Sequence, residues 1–242
     1  MNLILLTHSE LDAGLDHADA RVIHIRDVLK CGPDDWFDIG IVNGPRGKAR
    51  MTLSDDGCAR FDYSIGVEPP GLFPVTLIVG MPRPQTARRL LREMTSIGVE
   101  RLWFAVTDRS EKGYASSKLW TTDEYKRHVK QGAEQAFCTR LPDVRKFDSM
   151  TDAIIAASEQ GAGQSDRIAL DNYEARGRLS EWDPSSERVT LCLGAERGWS
   201  SLERDMLRAY DYDIFDLGRR VLRVETAAIA ATTIVLAKLG LM

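Results

Sequence analysis

Two segments near the end of the chain carry the residue types best suited to chemistry. Residues 194–200 read G-A-E-R-G-W-S, and residues 217–227 read L-G-R-R-V-L-R-V-E-T-A. Glycines let the backbone turn sharply and bring a ligand close to main-chain N–H and C=O groups. The arginines of the second segment can grip a phosphate. We therefore predict that both segments contact a ligand, with a plain strand-to-helix turn as the alternative for either one.

The elements around these segments should place both of them at one edge of a sheet. The apolar run 189–193 predicts a buried strand, and 212–216 predicts another. Ser200 and Glu203 have the spacing of a capping box, so a helix should follow the first segment. Residues 226–239 predict a second helix, apolar on nearly every side. Ligands of α/β proteins bind at the carboxyl ends of strands, where both segments would lie.

Composition indicates an ordinary globular protein of one or two domains. The chain has 242 residues, of which 43% are hydrophobic and 28% charged. Its net charge of −4 gives no overall attraction to nucleic acid, although basic residues cluster locally. The apolar start is too short for a signal peptide, and the apolar C-terminal helix falls short of the roughly 18 apolar residues of a membrane span. We expect a cytoplasmic protein without a membrane segment.

The placement of cysteine and histidine argues against a metal site. The four cysteines and four histidines stand far apart, with no paired spacing and no ligand pattern on one helix. Cys192 lies in a predicted strand, which favours a buried, reduced thiol. The sequence also lacks a G-x-G-x-x-G motif, a P-loop and a nucleophile elbow. It therefore gives no support to an ordinary dinucleotide site, a P-loop site or a serine nucleophile.

Residues 1–70 predict a small, β-rich domain. Residues 22–29 favour a short helix or turn, and Asn43-Gly44 is a strong hairpin signal. The short strands are predicted at residues 37–42, 48–53 and 59–67. Several short strands close together suggest a compact barrel. The breaker-rich residues 68–71 mark the boundary of this domain.

From residue 71 onward, strands and helices alternate. Gly98 should end the first helix, and Thr121 or Thr122 should cap the second. The strands are predicted at 74–80, 102–106 and 167–170, in addition to the two late ones. The helices are predicted at 85–97, 122–138 and 148–158. This alternation predicts an α/β domain with a mostly parallel sheet and helices on both faces.

At these residues the sequence resembles the RsmE family, the ribosomal RNA small-subunit (uracil-N3) methyltransferases of the SPOUT superfamily. The strongest match is Leu217-Gly218-x-Arg220-Val221-Leu222-Arg223-x-Glu225-Thr226-Ala227. The segment Gly194-x-Glu196-x-Gly198-Trp199-Ser200 matches the family's G-P-E-G-G-aromatic-Ser/Thr loop. Weaker matches are Ile97-Gly98-Val99, Ala133-Glu134-Gln135 with Arg140-x-Pro142, and His24 with Val28-Leu29-Lys30.

The sequence departs from the family pattern at four places. Ala195 replaces the proline of the loop, and Arg197 replaces one of its glycines. Ala136-Phe137-Cys138 replaces Ser-Gly-Arg, and Ser96 stands where the family has glutamate. The first two changes can alter the backbone of the loop. Together the departures leave the exact RNA target open.

The resemblance implies a SPOUT-type parallel sheet with a C-terminal trefoil knot, preceded by a small PUA-like β-barrel. It assigns residues 1–70 to the PUA-like RNA-binding domain and residues 71–242 to the knotted methyltransferase domain. The implied cofactor is S-adenosyl-L-methionine, and the implied substrate is N3 of a uridine in small-subunit ribosomal RNA. Ribosomal RNA would be the partner, with no metal and no membrane. Pairing through the apolar C-terminal helix would make a homodimer, whereas burial within one subunit is the alternative for that helix.

The same resemblance implies roles for individual residues. Arg223, with Arg220 second, would stabilise negative charge on the base or bind a phosphate, and Glu225 would accept a helix N–H, orient an arginine or act as a base. The cofactor is expected at Leu170, Leu193, Gly194, Glu196, Gly198, Leu217, Gly218, Val221, Leu222 and Thr226. RNA is expected at His24, Lys30, Arg140 and Arg197. The alternatives are a methyltransferase acting on another RNA nucleotide and a non-catalytic RNA-binding relative.

Overall fold

A computed structural model describes residues 3–160 and 165–242 in two compact units. The first unit comprises Met1–Gly71 and Lys130–Leu141, and the second comprises Leu72–Val129 and Pro142–Met242. The predicted first domain, residues 1–70, does not include Lys130–Leu141, which is the second segment of the first unit. That segment is tied to the first unit by hydrogen bonds from Leu5 N to Glu134 Oε1 (3.3 Å) and from Thr139 Oγ1 to the Gly44 carbonyl.

The first unit is built on a five-stranded sheet. Its strands are β1 (Ile4–Leu6), β2 (Leu15–Asp16), β3 (Phe37–Ile41), β4 (Arg46–Leu53) and β5 (Cys58–Val67). They lie in the order β1-β3-β4-β5-β2, with β1 parallel to β3 and the other pairs antiparallel. The predicted hairpin at Asn43-Gly44 is confirmed, because β3 pairs with β4 and Asn43 adopts a φ of 59°.

Short helices cover one side of this sheet. They are α1 (His8–Ala13), α2 (Ala20–Ile23) and a π-helical turn over His24–Val28. Leu11, Val22 and Ile25 from these helices pack with Ile39 and Ala49 of the sheet. The helical geometry confirms the short helix predicted at residues 22–29. Helix α1 and strands β1 and β2 were not predicted from the sequence, because they have only 6, 3 and 2 residues.

An acid-sensitive ion pair stabilises the first unit. Arg21 donates to Glu10 Oε1 (2.8 Å) and to Asp19 Oδ2 (2.9 Å). The bond from Arg21 lowers the pKa of Glu10 from 4.5 to about 2. Because the folded pKa lies below the unfolded one, this stabilisation is present above pH 4.5 and is lost as the pH falls towards 2.

Replacing Glu10 with Gln should therefore change how stability depends on pH. At pH 7 we expect the free energy of unfolding to fall by about 1–2 kcal/mol, since water still reaches the pair. The difference from the unaltered protein should shrink below pH 4.5 and vanish near pH 2. Urea unfolding across this range measures it. Asp12→Asn, at an exposed position of the same helix, is the control, and an unchanged pH profile in Glu10→Gln would contradict the prediction.

The second unit confirms the predicted α/β fold with a parallel sheet. Its six strands are β6 (Phe73–Gly80), β7 (Val99–Ala105), β8 (Asp143–Phe147), β9 (Asp166–Leu170), β10 (Val189–Leu193) and β11 (Asp213–Phe215). They lie in the order β11-β9-β10-β6-β7-β8, and every neighbouring pair is parallel. Strand β8 was not predicted, because this edge strand reads D-V-R-K-F and lacks an apolar run.

Helices connect these strands and cover the sheet. They are α3 (Pro84–Ile97), α4 (Lys118–Thr121), α5 (Glu124–Gln135), α6 (Met150–Gln160), α7 (Ser201–Ala209) and α8 (Val224–Lys238). Ile154 of α6 and Leu207 of α7 pack with Ile78, Trp103 and Cys192 on one face of the sheet. Residues that alternate with these point to the opposite face. Helices α3 and α8 pack against each other, and the sheet is thus sandwiched as predicted.

Two helix ends test the predicted boundaries. Gly98 ends α3 in a left-handed conformation (φ 99°), as predicted. The helix predicted at residues 122–138 is observed as the shorter α5 (Glu124–Gln135), and the unpredicted α4 ends before it, because Asp123 adopts a φ of 58° between them. Thr121 belongs to α4 and Thr122 follows it, so the prediction that either residue caps the longer helix was wrong. In the described parts of the chain, we find no helix with the length and apolarity that crossing a membrane requires.

The predicted buried thiol at Cys192 is confirmed. The side chain has 0% exposure and forms no disulfide. Burial raises the pKa of this thiol to about 12. Cys192 is therefore protonated at neutral pH and serves as a core residue rather than a nucleophile.

Candidate active site

A cleft of about 580 Å³ opens in the second unit at the carboxyl ends of β9, β10 and β11. Its wall is formed by the loops that follow these strands and by the first turns of α3 and α8. Among the predicted cofactor and catalytic residues, the cleft is lined by Leu170, Leu193, Gly194, Glu196, Gly198, Leu217, Arg220, Val221, Leu222, Arg223 and Glu225. The two predicted late loops thus meet at a single cavity.

The first loop makes a tight turn directly after β10. Gly198 N donates to the Ala195 carbonyl at 2.8 Å, and Gly198 has a φ of 67°. A Cβ atom on Gly194 would lie 3.0 Å from the Gly198 carbonyl carbon, and one on Gly80 would lie 2.5 Å from Ala195 N. Glycine at these positions therefore permits a close approach of backbone to backbone. Ala195, which replaces the family's proline, is buried within the turn.

Charged residues after β7 hold this turn from outside. Arg109 Nη1 donates to the Arg197 carbonyl at 2.8 Å, and the Arg197 guanidinium pairs with Glu111 at 2.8 Å. Asp108 accepts a hydrogen bond from Ser200 Oγ. The predicted capping box is confirmed, since Ser200 and Glu203 exchange both bonds at the start of α7. The departure at Arg197 is thus accommodated by an ion pair at the surface.

Glu196 connects the turn to α3. Its Oε1 accepts from Arg83 N at 3.0 Å, at the residue that precedes the helix. The Arg83 side chain donates from Nε to Thr86 Oγ1 at 3.2 Å. Both Arg83 and Thr86 line the cleft, and neither residue was predicted as a site residue from the sequence.

The second loop runs from β11 to α8. Asp216 Oδ1 accepts from Gly218 N at 2.8 Å, and Gly218 turns the chain with a φ of 111°. Arg223 is the N-cap residue of α8. Of the predicted cofactor residues, Gly218 and Thr226 lie outside the cleft lining, and Thr226 is exposed on α8.

Three arginine side chains of this loop have no partner among the described residues. In the described parts of the chain, the side chains of Arg219, Arg220 and Arg223 make no hydrogen bond or ion pair, and all three residues are exposed. Most other arginines of the unit pair with a carboxylate, as Arg88 does with Glu124. Because their charge is not neutralised locally, the Arg220 and Arg223 side chains can each bind an anionic group at the cleft.

Glu225 differs from these arginines. It lies in the first turn of α8, is 7% exposed and faces Arg89 Nη1 across 3.5 Å. A carboxylate near a helix N-terminus interacts favourably with the helix dipole. Of the roles left open for Glu225, the geometry favours pairing with an arginine, and this arginine belongs to α3.

The loop after β9 forms part of the cleft wall that was not predicted from the sequence. Asn172 and Tyr173 both line the cleft, yet they lie in a polar loop without a motif. The loop begins at the Leu170 carbonyl, which accepts from Trp199 Nε1 at 2.8 Å. The buried Asp171 follows and makes two bonds with Arg204, at 2.7 and 3.2 Å. This pairing raises the pKa of Arg204 and keeps it charged.

The residues predicted to bind RNA do not share one unit. His24, Lys30 and Arg140 belong to the first unit, and Arg197 belongs to the second. His24 is half-buried at the start of the π-helical turn, whereas Lys30 is exposed with a φ of 56°. Arg140 lies 3.9 Å from Glu68. Within residues 3–160 and 165–242, no three His, Cys, Asp or Glu side chains gather closely enough to hold a metal ion.

Comparison with known proteins agrees with this geometry. Residues 69–236 match the family model of the RNA methyltransferase domain. The ribosomal RNA small subunit methyltransferase E of Treponema pallidum is 34% identical, over 98% of this chain and 91% of that protein. Ribosomal RNA small subunit methyltransferase E 1 of Borreliella burgdorferi is 27% identical, over 99% of both chains.

A solved structure shares the fold over nearly the whole chain. It is the ribosomal RNA small subunit methyltransferase E of Neisseria gonorrhoeae bound to S-adenosyl methionine. The TM-score is 0.78 and the identity 18%, with 98% of this chain and 97% of that chain covered. On the family model and the full-length relative at 34% identity, this chain belongs to the ribosomal RNA small subunit methyltransferase E family of RNA methyltransferases.

Proposed function

We propose that this protein transfers a methyl group from S-adenosyl-L-methionine to N3 of a uridine in small-subunit ribosomal RNA. The observation that carries the proposal is the cleft at the ends of β9, β10 and β11. There a glycine turn meets the unpaired Arg220 and Arg223 in a member of the family. A ribosomal RNA substrate would place the activity in the cytoplasm.

The residues of the cleft fit this cofactor. A volume of about 580 Å³ lies within the range of small-molecule sites, roughly 300–1,000 Å³. Leu170, Leu193, Leu217 and Leu222 supply apolar surface, and the turn at Gly194 lets a ligand approach the main chain. The cofactor supplies a methyl group that is already activated on a sulfonium, so the protein must mainly align the two reactants.

Arg223 would act on the uracil base. Uracil N3–H is a weak acid, and its proton must pass to water before or during methyl transfer. The resulting negative charge spreads over the ring, and a nearby guanidinium lowers the barrier by stabilising it. Arg223 and Arg220 are free to do so because no carboxylate of the described residues pairs with them. Glu225 would hold the start of α8 through Arg89 rather than remove the proton.

The finer features of the fold are also part of the proposal. The curled sheet of the first unit supports a PUA-like barrel that binds RNA through His24, Lys30 and Arg140. Residues 176–179 run along β11, with Arg176 N bonded to the Ile214 carbonyl and Leu179 N to the Asp216 carbonyl, both at 2.8 Å. The loop after β9 therefore runs beside the strand whose chain continues into 217–223. This pairing of two late segments is the observation on which the proposed knot rests.

Mass spectrometry of ribosomal RNA tests substrate and activity together. A strain that lacks the protein should lose one N3-methyluridine from its small-subunit RNA, and the purified protein should restore it. Methylation of a different nucleotide would move the protein to another substrate. RNA binding without methyl transfer in a single-turnover assay would make it a non-catalytic relative.

We also infer a homodimer formed through α8. Within one chain only one face of this helix is buried, and that face carries residues such as Ala228, Ala231, Val235 and Leu236. The remaining surface is nearly free of charge and includes Ile229, Ala230, Thr233, Ile234 and Ala237, all half-buried or exposed. An apolar helix surface of this kind is stabilised when a second subunit covers it.

Replacing Ile234 with Glu should split this dimer. Because Ile234 is only half-buried within one chain, the carboxylate can reach water in the monomer and would be buried only at the interface. Sedimentation should therefore show a folded monomer at micromolar concentration. Leu202→Glu, at a 74%-exposed site of α7, makes the same change elsewhere and should remain dimeric. A monomeric unaltered protein would refute the dimer.

A further inference from the structure

The most exposed large hydrophobic side chains of the second unit converge on the cleft. Among the described residues of the chain, Tyr173 and Val221 have the highest exposures of this class, 80% and 79%. Both of them line the cleft. Exposed apolar surface that is gathered at a cavity marks a place where a ligand binds.

Contacts of the neighbouring residues hold Tyr173 in place. The Asp171 carboxylate accepts from Glu174 N at 3.1 Å and from Arg204 Nε at 2.7 Å, which fixes the backbone on both sides of the tyrosine. The Arg204 guanidinium carbon lies 5.5 Å from the centroid of the Tyr173 ring. Asp171 and Arg204 are each only 7% exposed. The ring is thus supported by a buried ion pair while most of its surface faces solvent.

The charged and polar side chains that line the cleft with Tyr173 can bind a nucleotide. Arg220 and Arg223 line the same cleft without acidic partners, and Asn172 adds an amide that can donate and accept hydrogen bonds. An aromatic ring beside free guanidinium groups is the combination with which proteins bind single-stranded RNA. The base stacks on the ring while the cations contact the phosphate.

We propose that Tyr173 is a stacking platform for a heteroaromatic base of the RNA substrate, with Val221 adding apolar contact. This inference rests on the proposed function. The adenine of the cofactor has the same flat chemistry and is the other possible source of the base. The neighbouring Arg220 and Arg223 favour RNA, because free guanidinium groups bind phosphates and S-adenosyl-L-methionine has none.

The test compares Tyr173→Ala with Tyr173→Phe. The KM for small-subunit RNA and kcat are measured by methyl transfer, and the Kd of S-adenosyl-L-methionine is measured by calorimetry. Tyr173→Ala should raise the KM for RNA about 10-fold, as expected for loss of one stacked base, and leave the cofactor Kd unchanged. Tyr173→Phe keeps the ring and should retain the normal KM. Leu202→Ala, an exposed apolar residue that does not line the cleft, controls for surface change.

Three results would overturn the inference. An unchanged RNA KM in Tyr173→Ala would remove the platform, and a weakened cofactor Kd with normal RNA KM would assign the ring to adenine. A Phe variant as weak as the Ala variant would make the hydroxyl, not stacking, responsible. If the unaltered protein transfers no methyl group, the proposed function fails separately. RNA affinity measured by filter binding, with and without the tyrosine ring, then decides the inference.

Discussion

Replacing Arg223 with Ala should lower kcat for methyl transfer by about 100-fold or more, with little change in protein stability. Loss of one positioned donor that stabilises a developing anion typically has an effect of about 100- to 1,000-fold. Arg223 is exposed at the N-cap of α8, and its side chain makes no bond to another described residue, so the fold does not depend on the guanidinium. The expected loss is therefore specific to the reaction.

Single-turnover transfer of labelled methyl to RNA measures this effect. Arg219→Ala is the matched control, because Arg219 is an exposed arginine of the same loop that does not line the cleft. Arg223→Lys should be intermediate, since it keeps the charge but not the fork of donors. A kcat within threefold of normal in Arg223→Ala would assign the role to another residue, and Arg220 would be tested next.

The largest expected effect on stability comes from Asp171. Replacing it with Ala should lower the free energy of unfolding by about 3 kcal/mol, because the buried Arg204 guanidinium would lose both short bonds and keep only the longer contact to Glu174 at 3.7 Å. The same change removes the acceptor of the Glu174 amide. Thermal and urea unfolding of the purified protein would measure the loss.

Two further variants separate charge from packing at this site. The double replacement Asp171→Leu with Arg204→Met removes both charges and should recover most of the lost stability. Arg208→Ala breaks an exposed pair with Glu174 and should cost less than about 1 kcal/mol. A loss below about 1 kcal/mol in Asp171→Ala would show that the guanidinium finds another partner or water.

Local sequence was sufficient for the elements whose signals are contained within a few residues. The strand Val189–Leu193 is apolar except for Thr190, and the Ser200 capping box marks the next helix start directly. Asp123 shows the limit, because T-T-D-E resembles a helix cap while the chain there adopts a left-handed turn. The β8 strand is equally hidden, since its pairing with β7 at the sheet edge does not require an apolar sequence.

The candidate site was predicted where motif and position coincide. Both late loops reach the cleft because strands β10 and β11 end at the same edge. Arg83 and Tyr173 could not be found in this way, because they come from other loops that only the strand order brings to the cleft. Thr226 was predicted from its motif, but the rotation of α8 turns it away from the lining.

The two walls of the cleft differ in the hydrogen bonds that hold them to the rest of the second unit. The wall at residues 194–200 is bonded through Glu196 to the start of α3, through Trp199 to the end of β9 and through Arg197 to the loop after β7. The facing arginines at 219–223 have no such bonds among the described residues. Conformational entropy lost on ligand binding should therefore come mainly from the second wall. Substitutions there can change affinity by altering how much freedom is lost, even when they remove no contact to the ligand.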